Sequence, residues 1–214
     1  MYEPFAKILK HVPGYKFEMV FDVGANVGSL TKQFYEDLPL AKILAFEPVL
    51  STFDAACAQT VDCDRVTVLN LALGSSEGTT HMRVGDNSEM NRVDRRGGGQ
   101  IVRMSTIDHI CSGYEITRIS YLKIDTEGHD LEVLKGAAHM LRNTDFVECE
   151  VSLNSYNKYH VSYDEVNEFL EPFGFGVFHL FEQTMEWIAR APILRRANIV
   201  FVSSRIYGNL ADAR

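Results

Sequence analysis

The strongest constraint in the sequence is an alternation of two hydrophobic periods. Short, nearly continuous apolar runs occur at MVFDVG (19–24), KILAFEP (42–48) and VTVLNLAL (66–73). Between them the apolar residues recur at helical spacing: Val27, Leu30, Phe34 and Leu38 after the first run, and a helix capped by Ser51 and reaching about Gln59 after the second. Continuous runs of this kind suit parallel strands covered on both faces. Strands alternating with helices predict a doubly wound α/β sheet, which binds ligands outside the carboxyl ends of its strands.

The rest of the chain extends the pattern. Phe5, Ile8, Leu9 and Val12 predict an amphipathic helix over residues 1–14, ending near Pro13-Gly14. A fourth core strand is expected at ISYLKID (119–125), then a helix with Leu131, Leu134, Ala138 and Leu141 on one face, and a fifth strand at DFVECEV (145–151). Ser162 and Glu165 have capping-box spacing ahead of a helix, and GVFHLF and ANIVFV read as the last two strands. The pattern changes only at 80–104, where TTHMRVG and QIVRMS flank a polar Gly/Arg loop, read as a variable insertion in a single domain over residues 1–214.

Composition narrows the partners. A hydrophobic fraction of 46% and a charged fraction of 23% are those of an ordinary globular protein, which excludes disorder. The net charge of -8 disfavours nucleic acid and anionic membranes, whose affinity comes from Lys and Arg neutralising phosphates, so a small-molecule substrate is expected. No segment is apolar enough to span a bilayer or to act as a signal sequence, and the expectation is a soluble, cytoplasmic chain. Cys57, Cys63, Cys111 and Cys149 lack zinc-type spacing and read as reduced thiols.

Two motifs fall on the binding edge. DVGANVG (22–28) forms the first strand-to-helix turn, where Gly24 and Gly28 allow close backbone approach to a ligand. Asn26 and Ser29 stand where a dinucleotide fingerprint has glycine, so the pyrophosphate cradle is broken. Glu47 ends the second strand, nineteen residues after Gly28, where such folds place a carboxylate for ribose hydroxyls. A nucleoside ligand without a pyrophosphate is the joint reading.

FDVGANVGSLT, AFEP, LNLALGSSEG, STIDHI, YLKIDTEGHDLEVLKGA, FVECEVS and ANIVFV follow one another in register, and the sequence resembles the FkbM-type methyltransferases. The resemblance implies the class I, Rossmann-like methyltransferase fold, a seven-stranded, mostly parallel sheet with its last strand antiparallel and helices on both faces. It implies S-adenosylmethionine as cofactor and usually O-methylation of a sugar or natural product. Carried onto this chain, Asp22, Gly24, Ala25, Asn26 and Gly28 would hold the methionine end, Glu47 with Pro48 the ribose, Ala72-Leu73 the adenine, and Asp125 would lie near the reactive centre.

Candidates for acid/base or substrate contact are Asp125, Glu127, His129 and Glu150, with a buried ion pair as the rival reading of Glu150. Asp125, Glu127 and His129 on one tight turn need not converge, so no metal is expected there. Asp130 and Glu132 read as acids favoured by a helix dipole, and Asp130→Asn is expected to cost little stability. Asn154, Tyr156, Tyr159 and His160 would lie on a loop over the same edge, with a sugar, nucleotide sugar or polyketide-like acceptor as the expected partner. Arg83, Arg92, Arg95, Arg96 and Arg103 are either a solvated cluster or a phosphate contact. Two rival functions are a nicotinamide-dependent oxidoreductase and a non-catalytic S-adenosylmethionine-binding module.

Overall fold

A seven-stranded sheet carries the binding edge. The computed structural model describes residues 1–85, 88, 91–94, 98–188 and 190–211, the last three as backbone only. After helix α1 (Glu3–His11) the chain runs through β1 (Met19–Val23), α2 (Ser29–Asp37), β2 (Lys42–Phe46), α3 (Leu50–Gln59) and β3 (Val66–Leu69). It returns as β8 (Ile119–Ile124), α5 (Asp130–Lys135), β9 (Thr144–Ser152), α6 (Tyr163–Leu170), β10 (Phe175–Met185), β11 (Leu194–Ser203) and α7 (Ser204–Ala211). Between the two halves lie β4 (Ala72–Leu73), β5 (Gly78–Arg83), β6 (Arg92–Val93), β7 (Gln100–Ser105) and α4 (Ile107–Gly113).

The strand order is β10-β11-β9-β8-β1-β2-β3. Pairing is parallel from β9 to β3, while β11 runs antiparallel to both its neighbours. The winding reverses between β1 and β8, so the crevice opens where Val23 and Ile124 end in register. All six residues of β8 and all nine of β9 are buried, and the charged ones among them, Lys123, Asp145, Glu148 and Glu150, are held by ion pairs and hydrogen bonds. On one face of the sheet α1 buries Phe5 and Ile8 in an aromatic cluster with Phe17, Phe34 and Tyr121. Burial of such a side chain stabilises by roughly 1.5–3 kcal/mol.

Three local expectations are corrected. VTVLNLAL is two strands: Asn70 turns the chain by donating its amide to the Glu47 and Pro48 carbonyls, both at 3.0 Å, and β4 joins a second sheet of order β4-β7-β5-β6. Ser51 is not a cap; α3 starts at Leu50, and Thr52 supplies the polar contact by donating to the Glu47 carboxylate at 2.8 Å. The helix after β8 stops at Lys135 because Gly136 lies against the Gly74 carbonyl, which a Cβ there would meet at 2.0 Å. Its buried face is therefore Val133, Leu134, Ala137 and Leu141, with Leu131 and Ala138 half-buried. The Ser162–Glu165 capping box at α6 forms as expected.

The second sheet occupies the region read as an insertion at 80–104, and it packs Met82 and Val102 on Val49 and Ala72 beside the binding edge. Arg95 and Arg96 lie outside the described residues.

Candidate active site

The turn after β1 is built so tightly that only glycine fits its first position. Gly24 and Ala25 both donate their N–H groups to the Phe46 carbonyl at 3.0 Å. Gly24 has φ +88°, and a Cβ there would stand 1.9 Å from the Asp125 carbonyl oxygen. The turn of β1 and the end of β8 are thus in direct backbone contact. Asn26 takes φ +50°, donates its N–H to Glu47 Oε2 at 3.0 Å, and leaves its side-chain Oδ1 buried with no hydrogen-bond partner among the described residues.

Glu47 is 5% exposed, and burial raises its carboxyl above the ordinary value against the pull of its donors. Oε1 accepts from Val49 N–H at 2.9 Å and from Thr52 Oγ1, and Oε2 accepts from Asn26. A carboxylate offers about four lone-pair sites. Three are filled, which leaves room for one further hydroxyl rather than the two expected for ribose.

Two cavities meet above this floor. The smaller, of 140 Å³, is lined by Gly24, Asn26, Glu47, Ala72, Leu73 and Asp125, with Met82 and Asn91 of the second-sheet region on the far side. The larger, of 1060 Å³, is lined largely by charged and polar groups, among them Arg83, Arg92, Gln100, Lys158, Tyr159 and His160. Val93, Glu127 and His129 belong to both.

The wall between the cavities is electrostatically structured. Lys123, 4% exposed, reaches Asp125 Oδ2 at 2.9 Å. Burial opposes the ammonium, but Asp125, Glu148 and Asp22 outweigh it and push the lysine above its ordinary value. Burial likewise opposes the Asp125 carboxylate, yet Lys123 overcomes it and holds the group below the usual range, so Asp125 is a permanent anion facing the smaller cavity. Glu127 sits at φ +53°, and Gly128 at φ +96° lies so close to the next loop that a Cβ would meet the Tyr159 carbonyl at 2.1 Å. That contact docks the loop carrying His160, whose Nε2 lies 2.8 Å from Glu150 Oε2 and 3.6 Å from Glu127 Oε2. Arg196 pairs with the other oxygen of Glu150.

The structure separates the sequence candidates. Asp22 does not line the smaller cavity; it is 2% exposed, accepts a hydrogen bond from Thr31 Oγ1 at 2.5 Å, and is raised above its ordinary value by burial. Ala25 and Gly28 also stand behind the cavity, Gly28 being packed against Ala56 of α3, while Pro48 lines it. Glu150 is 7% exposed and lines neither cavity, its Oε1 paired with Arg196 and its Oε2 facing His160. Asp130 is not a surface helix-start acid: it is 1% exposed, its Oδ2 accepts from Thr126 Oγ1 at 2.8 Å, and burial and then Asp125 raise it to about 7. His129 occupies the N-cap position of α5. Asn154 organises its own loop by accepting from Tyr156 and Asn157 N–H, and Tyr156 points away from both cavities. Arg92 stacks on the Tyr159 ring at 4.3 Å. Arg103 lines neither cavity.

Lys123, Arg196 and Asn157 were not singled out from sequence. Lys123 had a signal: a cation in an apolar strand, two residues before Asp125 and so on its face, demands a partner.

The family model for the methyltransferase FkbM domain matches residues 22–177. The chain belongs to that family. The match is to a methyltransferase domain and not to that of a nicotinamide-dependent oxidoreductase. Two relatives agree. Hexuronic acid methyltransferase AglP of Haloferax volcanii is 31% identical over 149 residues, covering 63% of this chain and 56% of its own. Methyltransferase sdnD of Sordaria araneosa is 29% identical over 153 residues, covering 55% of this chain and 59% of its own. The chain thus spans somewhat over half the length of each relative. Among solved structures, the N-terminal domain of EvdMO1, crystallised with SAH and D-fucose, superposes with a TM-score of 0.51 at 11% identity, covering 94% of this chain and 81% of that domain. That likeness is one of fold alone: the FkbM chain has the class I methyltransferase architecture.

Proposed function

We propose that this FkbM domain transfers a methyl group from S-adenosylmethionine to a hydroxyl of a sugar-like acceptor. One observation carries the reading: a small cavity at the Gly24 turn and a large polar cavity share Val93, Glu127 and His129, so two ligands bound in them meet at that wall. The charged and aromatic lining of the larger cavity suits a polyhydroxylated acceptor better than an apolar polyketide, and the similarity to a hexuronic acid methyltransferase supports a sugar.

The residues present fit the cofactor. Gly24 leaves space that a Cβ would close, the unpartnered Asn26 Oδ1 is an acceptor for an ammonium or hydroxyl, and Glu47 has one lone pair left for ribose. Ala72 and Leu73, opposed by Met82, offer apolar walls to adenine. When bound, S-adenosylmethionine supplies a methyl group activated by its sulfonium. At 140 Å³ the small cavity is below the about 300–1,000 Å³ of sites that enclose a drug-sized ligand, so the cofactor must extend past the shared wall.

The chain's own work is then electrostatics and positioning. Asp125, held ionised by Lys123, presents a negative charge to the cationic cofactor from a half-buried position at the mouth of the turn. Glu127 and His129 orient the acceptor oxygen, and orientation of two reactants is worth about 7–11 kcal/mol of barrier. We also read the 214 residues as one domain and place it in the cytoplasm, for which four free cysteines speak; among the described residues no helix is long and apolar enough to cross a membrane.

The test is formation of S-adenosylhomocysteine from a panel of uronic acids, neutral sugars and nucleotide sugars. Turnover with at least one of them is expected, falling roughly 100-fold or more in Glu127→Gln. Tight cofactor binding without turnover on any acceptor would leave the non-catalytic binding module as the better reading.

A further inference from the structure

We propose that Glu127, Glu150 and His160 form a binding site for a divalent first-row metal cation in the wall of the acceptor cavity. One carboxylate oxygen from each glutamate and one imidazole nitrogen lie within 4.8 Å of one another. Metal bonds of about 2.0–2.2 Å place neighbouring ligand atoms about 3–3.5 Å apart. The separations from His160 Nε2 are 2.8 Å to Glu150 and 3.6 Å to Glu127. Little rearrangement is needed.

The three ligands come from separate elements that the fold locks together. Glu127 follows β8, Glu150 lies in β9, and His160 is on the loop after β9 that packs on Gly128. Behind His160 stands Asn157, 4% exposed, its Oδ1 fixed by accepting the Tyr159 N–H at 3.0 Å. That oxygen lies 3.3 Å from His160 Nδ1, and the amide nitrogen lies 3.0 Å from it. The closer contact has the amide N–H donating to Nδ1, which leaves the proton on Nε2 facing Glu150 in the metal-free chain. A bound cation takes the place of that proton, and a protonated Nδ1 then donates to the Asn157 oxygen at 3.3 Å. A polar group behind the imidazole is the usual support of a metal-binding histidine.

The competing account is an ion-pair cluster in which Arg196 and a protonated His160 neutralise Glu150. Arg196, however, engages only Oε1, whereas Oε2 faces His160. Glu127, 3.6 Å from the same imidazole, brings a second carboxylate to that spot. A cation bound there satisfies both carboxylates and the imidazole at once. Glu127 and His160 also line the large cavity, so three protein ligands leave coordination positions open towards an acceptor, the arrangement of a catalytic rather than a structural site. One nitrogen with two oxygens suits Mn²⁺, Fe²⁺ or Zn²⁺ over Ca²⁺. Its use in holding an acceptor hydroxyl rests on the transferase reading; the binding of the cation does not. The trio Asp125, Glu127 and His129 considered from sequence is not the one brought together.

The test uses the untagged full chain stripped with a chelator and titrated with Mn²⁺, followed by electron paramagnetic resonance, and with Zn²⁺, followed by calorimetry. One cation per chain is expected, with the melting temperature rising about 5–10 °C at a hundredfold excess over Kd. His160→Gln and Glu127→Gln should each weaken binding at least tenfold, and Asp164→Asn on the surface of α6 should not. Because His160 is well buried, Glu127→Gln at the cavity surface serves as the variant least able to disturb folding. Absence of saturable binding by the folded wild-type chain, or binding unchanged in both variants, overturns the site. Methyl transfer by a chain that binds neither cation would overturn it while leaving the transferase reading intact; cation binding without transfer to any acceptor would do the reverse.

Discussion

Replacing Asp130 by asparagine should make the protein's stability less dependent on pH, and at alkaline pH should stabilise it. Asp130 is 1% exposed, has one hydrogen-bond donor at Oδ2 and none at Oδ1, and is raised from an ordinary 3.8 to about 7 by burial and then by the Asp125 charge. A carboxyl with a raised folded-state value binds its proton more tightly when folded, so it adds nothing below pH 3.8 and destabilises increasingly up to about 7. With 1.36 kcal/mol per decade, the penalty is about 2 kcal/mol at pH 5 and about 4 kcal/mol at pH 8. Asparagine carries no such penalty. It brings an amide with its own unmet donor, at about 1–3 kcal/mol, but that cost does not vary with pH. The robust quantity is therefore a double difference: between pH 5 and pH 8 the wild type should lose about 2–3 kcal/mol more than the variant. Urea unfolding of both proteins at the two pH values measures it directly. Parallel loss of stability in the two would show that Asp130 is ionised in the fold with a compensating partner, and the reasoning would fail.

Other outcomes follow from the same geometry. Gly24→Ala forces a Cβ into the Asp125 carbonyl and should reduce S-adenosylmethionine affinity at least 100-fold by calorimetry, since turn and strand end must part. Lys123→Met strands Asp125 beside Asp22 and Glu148 and should cost about 3–5 kcal/mol in denaturant unfolding, much of it recovered when Asp125→Asn is added. Arg92→Ala removes the cation stacked on Tyr159 and should raise the acceptor KM several-fold with little change in cofactor affinity; an unchanged KM would place that pair outside acceptor recognition.

Periodicity made the main sheet legible because its central strands are buried on both faces and its helices on one. The Gly24 turn and Glu47 were legible for a related reason: a positive φ and a strand-end carboxylate each leave a residue type that few other roles explain. Reading failed where a side chain's meaning depends on a distant segment. Asp22 and Asp125 both end strands beside the same crevice, yet Thr31 draws one behind the turn while Lys123 holds the other at its mouth. Asp130 looked like a helix-start acid because its position in α5 is local information, whereas its burial beneath the β8 turn is not. His160 gained its significance from Gly128, which brings in a loop from over thirty residues away.

The four-stranded sheet contributes Met82 to the smaller cavity, Arg83 and Gln100 to the larger, and Val93 to both. Under the proposed transfer, a single stretch of chain would touch both the ligand that methyltransferases of this kind share and the one on which they differ. Exchanging that stretch for another to change acceptor preference therefore cannot be a clean graft. Each new acceptor wall arrives with a new adenine wall attached, and selection for one ligand will be felt as a change in affinity for the other.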